Sequence, residues 1–206
     1  MATRGQLLGA GLSASDIERR LRKGVLLAEY RGVYRVGHRA PSVEARYMAA
    51  VCACGDGALL SGRAAARLLG LLKGAEPGPE VITRTERRIA GISTQRSRSI
   101  DRRDATAFRG IPITTVPRTL VDLAAVLAVD KLARACHEAG VLHRATPAQV
   151  EAVLARRANS PSAGQLRRVL RGEVHVTLRT CLRCRAGFGC GRVEALGYVN
   201  QGAVSI

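Results

Sequence analysis

Residues 13–38 read SASDIERRLRKGVLLAEYRGVYRVGH. The stretch changes its period halfway along, and that change decides the fold. In the first half Ile17 and Leu21 stand four apart, the spacing of one helix face. Ser13 or Ser15 is placed to cap this helix, and Asp16 and Glu18 fall in its first turn. Gly24 stops it. The acids suit the positive end of the helix, and Arg19, Arg20, Arg22 and Lys23 suit the negative end. In the second half Val25, Leu27 and Glu29 alternate with Leu26, Ala28 and Tyr30, which reads as a strand. Arg31-Gly32 then makes a turn and Val33–Val36 return. The result is a two-stranded hairpin, with a bulge expected at the glycine.

Upstream, TRGQLLGAG offers Thr3 as a cap, Leu7 and Leu8 as apolar positions and a glycine stop. Two short helices joined by a glycine-containing turn read as a helix-turn-helix. Neighbours on a helix point about 100° apart, so the four cations of the second helix fan over its outer surface. A helix lying in the major groove needs that spread, with some side chains at base edges and others on phosphates. A following hairpin is then a wing, with Arg31 and Arg35 at or near its tip. The candidate DNA-binding set is Ser13, Ser15, Arg19, Arg20, Arg22, Lys23, Arg31 and Arg35. The plainer reading is a solvated amphipathic helix beside an unrelated hairpin. The order of the elements and the clustered charge favour DNA. A winged fold generally has three helices and only two precede the hairpin here, so either the first lies upstream of Met1 or the fold manages with a reduced core.

The whole chain supports a basic partner surface. Its 206 residues carry a net charge of +17, which points to a polyanion. Lysine occurs only at 23, 73 and 131, so arginine supplies nearly all the charge, as a GC-rich coding bias also would. The position of the clusters therefore says more than the total. Hydrophobic residues make up 47%, too many for global disorder, while aromatics make up only 3%, so the core must be built from Leu, Val and Ala. No apolar run approaches the roughly 20 residues of a membrane span, and no secretory signal is visible. A cytoplasmic, reduced protein is expected.

Beyond the hairpin, PSVEARYMAAVCACGDG reads as a helix capped at Ser42, and GALLSGRAAARLLGLL as a second helix capped near Ser61. Residues 74–80 form a loop and the best internal boundary. Two strands flank RRIAG, and a β-branched strand ends through Ile113 before Thr115 and Pro117 open a helix. Further helices are expected at about 130–139, 146–156 and 161–170. The fold class is α+β: an N-terminal winged helix-turn-helix over 1–39, then a mixed α/β domain over 40–178 that ends in helices. Residues 179–206 make an irregular Cys/Gly/Arg-rich tail.

No catalytic constellation assembles. Cys181, Cys184 and Cys190, with His175 upstream, have the residue types of a zinc knuckle, but the second pair of a structural site is absent. Cys52 and Cys54 read as small apolar residues. Asp101, Asp104 and Asp122 are scattered, and Asp122 is expected to bond locally. No catalytic residue, metal or cofactor is expected.

Three stretches together resemble the AbiEi family of antitoxins from type IV toxin-antitoxin systems. They are QLLGAGLSASDIERRLRKGVLLAEYRGVYRVGH, AAVCACGDGALLSGRAAARLLGL and FRGIPITTVPRTLVDLAAVL. The first is similar to the family's winged helix-turn-helix, the others to the α/β region after it. The resemblance implies a non-enzymatic regulator that binds operator DNA, represses its own operon and counteracts a nucleotidyltransferase-type toxin. Related actinobacterial chains continue into a domain similar to very-short-patch-repair endonucleases. Here the pattern turns, after GEVHVTL, into the Cys/Gly/Arg tail, as a truncated or frameshifted gene would. The alternative is therefore a remnant of such an endonuclease without its active site. Expected partners are double-stranded DNA, a cognate toxin and, for two half-sites, a second copy of the chain. No membrane partner is expected.

Overall fold

Thr3 fixes the first turn of the chain. A computed structural model of the protein describes residues 1–37, 42–97, 100–157, 160 and 162–173. Helix α1 (Arg4–Gly9) begins where the Thr3 hydroxyl accepts the Gln6 N–H at 3.2 Å and Gln6 Oε1 accepts the Thr3 N–H at 2.8 Å. Helix α2 (Ala14–Arg22) repeats the device. Ser13 Oγ accepts the Asp16 N–H at 3.1 Å, and Asp16 Oδ2 accepts the Ser13 N–H at 3.2 Å. Each reciprocal pair satisfies two backbone donors that the helix itself leaves open. Gly24, at φ +70°, turns the chain out of α2 in a conformation that L side chains adopt only with strain.

Three short antiparallel strands follow this frame: β1 (Ala2–Thr3), β2 (Leu26–Tyr30) and β3 (Val33–Val36), in the order β1-β3-β2. Arg31 and Gly32 form the two-residue turn, with Gly32 at φ +75°. The register shift lies between Ala28 and Tyr30, not at the glycine. Its consequence is directional. Leu26 and Tyr34 face α1 and α2, where they cluster with Ile17, Leu7, Leu12 and Leu21. The extra residue lets Tyr30 turn to the other face and pack against the main core, which includes Tyr47, Val51 and Cys54 of helix α3 (Val43–Cys54). The small sheet is thus covered on one face by α1 and α2 and on the other by α3. The apolar cluster under α2 is small, so its cap carries weight. Ser13→Ala is expected to cost about 1 kcal/mol, read as a shift of the urea midpoint with an unchanged slope.

The second sheet has five strands in the order β6-β5-β4-β8-β7. They are β4 (Leu59–Leu60), β5 (Glu80–Thr83), β6 (Ser93–Arg96), β7 (Ala105–Phe108) and β8 (Ile111–Thr114). The pairs β5/β6 and β4/β8 are parallel, while β4/β5 and β7/β8 are antiparallel. The helix expected after a cap near Ser61 is α4 (Gly62–Leu68), with Ser61 at its N-cap, and the apolar residues just before that cap form the buried strand β4. Ser61 precedes it without a side-chain cap bond. The 74–80 loop leads from α4 into β5. It is fastened to α3: Tyr47 donates its hydroxyl to the Pro77 carbonyl at 3.0 Å.

Four helices complete the described residues: α5 (Val116–Ala124), α6 (Val129–His143), α7 (Pro147–Arg156) and α8 (Ala163–Leu170). Proline in the first turn of α5 and of α7 sets φ where no donor is needed. Helix α5 is the hub. Leu120, Val121, Leu123 and Ala124 are buried, and α4, α6, α7 and α8 all pack against it. Helix α6 runs four residues past its expected end, because His143 Nε2 meets the Leu69 carbonyl at 2.7 Å and holds the last turn. No described helix is long and apolar enough to cross a membrane.

Candidate nucleic-acid interface

Helix α2 carries the candidate basic surface. Ile17 is fully buried and Leu21 packs beside it, so one side of the helix is committed to the sheet. Arg19, Arg20, Arg22 and Lys23 are all exposed. At about 100° per residue, these four span an arc of roughly 160° on the side opposite Ile17 and Leu21. Arg19 is drawn into an ion pair with Asp16 three residues earlier. Arg20, Arg22 and Lys23 have no ion pair among the described residues. The Arg19–Asp16 pair is on the surface and worth only a few tenths of a kcal/mol, so it does not commit the guanidinium.

The remaining candidates separate. Ser13 is occupied by the cap, where its hydroxyl also donates to Asp16 Oδ2 at 2.6 Å. Ser15 shares a 2.8 Å hydrogen bond with Ser13. Both serines are exposed and organise the helix start. Arg31 is exposed at the hairpin turn, where a wing tip would be. Arg35 is not at the tip. It lies opposite Leu27 on the α3 side of the sheet, largely buried, with Nε 2.8 Å from Glu29 Oε1. The strand alternation explains the difference: residues 33 and 35 share a face, and residue 33 is buried.

The cap makes the start of α2 sensitive to acid. Hydrogen bonds from Ser13 hold the Asp16 carboxyl below its ordinary value of 3.8, with further help from Arg19 and Arg20. Stability from this depressed group is fully present above pH 3.8 and is lost as pH falls through the lower folded value. The Asp16 carboxyl signal is expected to titrate below pH 3.8 by NMR, and Ser13→Ala to move the midpoint back up. A midpoint unmoved by Ser13→Ala contradicts the cap's role.

A second polar constellation escaped the sequence reading. Arg118 is 2% exposed in the first turns of α5. Its Nε lies 3.0 and 3.1 Å from the two Asp122 oxygens, and its Nη1 lies 3.3 Å from Asp104 Oδ2. Arg156 of α7 joins from the other side, pairing with Asp104 and, at 3.3 Å, with Asp101. Asp122 does bond locally, as expected, but as one member of a network that ties α5, α7 and the 101–104 turn together. The signal in the sequence was Arg118 and Asp122 at i, i+4; nothing local announces Asp104 or Arg156 as partners.

The described cysteines, Cys52, Cys54 and Cys136, show no activation. Burial raises the thiol pKa of Cys52 and Cys54, and pushes Cys136 up to about 12. Such thiols stay protonated at neutral pH and are poor nucleophiles. Among the described residues, no three His, Cys, Asp or Glu side chains are grouped to hold a metal. His175, Cys181, Cys184 and Cys190 lie outside the described residues. Among the described residues, α2 offers an exposed basic arc beside a short hairpin. Scans against protein-family models and against curated proteins find no match for this chain.

Proposed function

We propose that the chain is a DNA-binding transcriptional regulator of the AbiEi antitoxin type. It represses its own operon and counteracts a nucleotidyltransferase-type toxin. One observation carries the reading: the cations of α2 form an exposed arc opposite its buried face, next to a hairpin with Arg31 at its turn. What supports a winged helix-turn-helix is the order of elements. A strand, two capped helices and a hairpin follow one another, and the first strand joins the hairpin's second strand in one sheet. Helix α2 is the recognition helix in this reading, and Arg19, Arg20, Arg22 and Lys23 meet base edges and phosphates. Its exposed arc is broad enough for both kinds of contact.

The test is duplex binding by Arg19→Ala/Arg22→Ala. The variant keeps its helix, because alanine is the better helix former, and it loses two phosphate-range charges. Affinity is expected to fall, and its salt dependence to flatten by about 1.8 in the slope of log K against log salt. Unchanged duplex affinity would rule out α2 as the recognition helix. Antitoxin action is tested separately: an adjacent nucleotidyltransferase gene supports it when co-expression with this chain relieves that toxin, and the absence of such a gene counts against it.

A further inference from the structure

Strand pairing brings one more arginine to the hairpin turn. Strands β1 and β3 run antiparallel, with Ala2 opposite Tyr34 and Thr3 opposite Val33. One step further in the same register, Arg4 stands opposite Gly32, and its N–H donates to the Gly32 carbonyl at 2.8 Å. Gly32 is the second residue of the turn and Arg31 the first. Standard backbone lengths then keep the Cα atoms of Arg4 and Arg31 within about 10 Å of each other. Both residues are exposed.

Neither arginine is committed to a carboxylate. The acids before residue 42 are Asp16, Glu18 and Glu29. Asp16 meets Arg19, and Glu29 meets Arg35. Arg4 and Arg31 make no ion pair among the described residues. The backbone of Arg4, by contrast, is in use. Arg4 is the first residue of α1, behind the reciprocal Thr3–Gln6 cap. Its N–H has no carbonyl to meet within the helix and goes to the turn instead. Helix α1 packs through Leu7 and Leu12 into the same apolar cluster as Ile17 and Leu21 of α2. Arg4 thus ties the hairpin turn to the helical side of the small sheet.

We infer that Arg4 belongs to the DNA interface: its N–H seats the hairpin turn, and its guanidinium joins Arg31 on the duplex backbone. The inference rests on the DNA-binding reading above, which puts Arg31 at the wing tip. A duplex carries one charge per about 1.7 Å of its axis, so two cations held this close meet neighbouring phosphates once one of them is seated. The planar fork of arginine suits the contact, because it takes phosphate oxygens in pairs. The contact is sequence-independent, since it touches no base edge. The local sequence does not announce it: Arg4 is the one cation of a six-residue helix, and only the β1/β3 pairing brings it to the turn.

The test is binding of a mixed-sequence DNA duplex across a salt series, by the full chain and by Arg4→Gln, Arg31→Gln and their double variant. Each single change is expected to take about 0.9 from the slope of log K against log salt, and the double about 1.8. Arg4→Gln keeps the backbone N–H and so keeps the turn seated. Arg4→Pro removes that N–H at a position where a helix accepts proline, and Thr3 is already extended, at φ −84° and ψ 159°, as proline asks of the residue before it. Its slope loss is expected to exceed that of Arg4→Gln and approach that of the double variant, because Arg31 loses its seat. Equal losses for the two Arg4 variants overturn the seating role. An Arg4→Gln slope equal to the parent's, beside a reduced slope for Arg19→Ala/Arg22→Ala, overturns Arg4 as a contact and leaves the α2 reading standing. A parent with no duplex affinity overturns both.

Discussion

Replacing Arg118 with alanine is expected to destabilise the protein by about 3–5 kcal/mol, the usual cost of removing one partner from a buried ion network. Arg118 is 2% exposed and touches two carboxylates, Asp122 at 3.0 Å and Asp104 at 3.3 Å. Asp104 is itself 2% exposed. Burial already holds the Asp122 carboxyl above the ordinary carboxylate range, with Arg118 as the main opposing influence. Without the guanidinium, Asp122 must take up a proton or stay as an unpaired buried charge. The truncation also opens a cavity at the centre of the α5 packing. Denaturant unfolding of Arg118→Ala measures the sum. The partner variant Arg118→Met/Asp122→Leu separates the terms: it keeps the volume, removes both charges and is expected to recover part of the loss. A cost below about 1 kcal/mol for Arg118→Ala contradicts the network's structural role.

Neutralising the outer arc of α2 is the second large effect. With Arg19, Arg20, Arg22 and Lys23 all changed to alanine, duplex affinity is expected to fall by about 10³-fold near 0.1 M salt. The estimate follows from four lost phosphate contacts, each contributing about 0.9 to the salt slope. The variant should stay folded. The four side chains are exposed, their replacement raises helix propensity, and Ile17 and the Ser13 cap are untouched. Equal helix content by circular dichroism, with affinity lost, separates an interface effect from unfolding. Affinity within threefold of the parent contradicts the assignment.

The parts of this fold that could be read from sequence are those whose signals are local. Helix α2 announced itself by Ile17 and Leu21 on one face, Ser13 before it and Gly24 after it. Strand β8 and helix α5 did so by a β-branched run followed by proline. Strand β4 did not, because Leu59-Leu60 in an apolar run has no period that separates strand from helix. Only its pairing with β5 and β8 makes it a strand. The bulge was misplaced for a similar reason. Gly32 is the turn, while the extra residue is set by the need to turn Tyr30 onto α3, a contact far away in sequence. The same distance hid Arg35, whose Glu29 partner sits across the strand pair, and the Asp104–Arg118–Arg156 network, whose members come from three elements. The basic arc of α2 was legible because it needs only one helix to form.

The most direct test of the α2 interface is the salt dependence of duplex binding, measured side by side for the parent chain and the fourfold arc variant. The account predicts two straight lines in log K against log salt, with the parent steeper by about 3.6 and the two converging toward 1 M. Parallel lines, or a parent that binds no duplex even at low salt, contradict it.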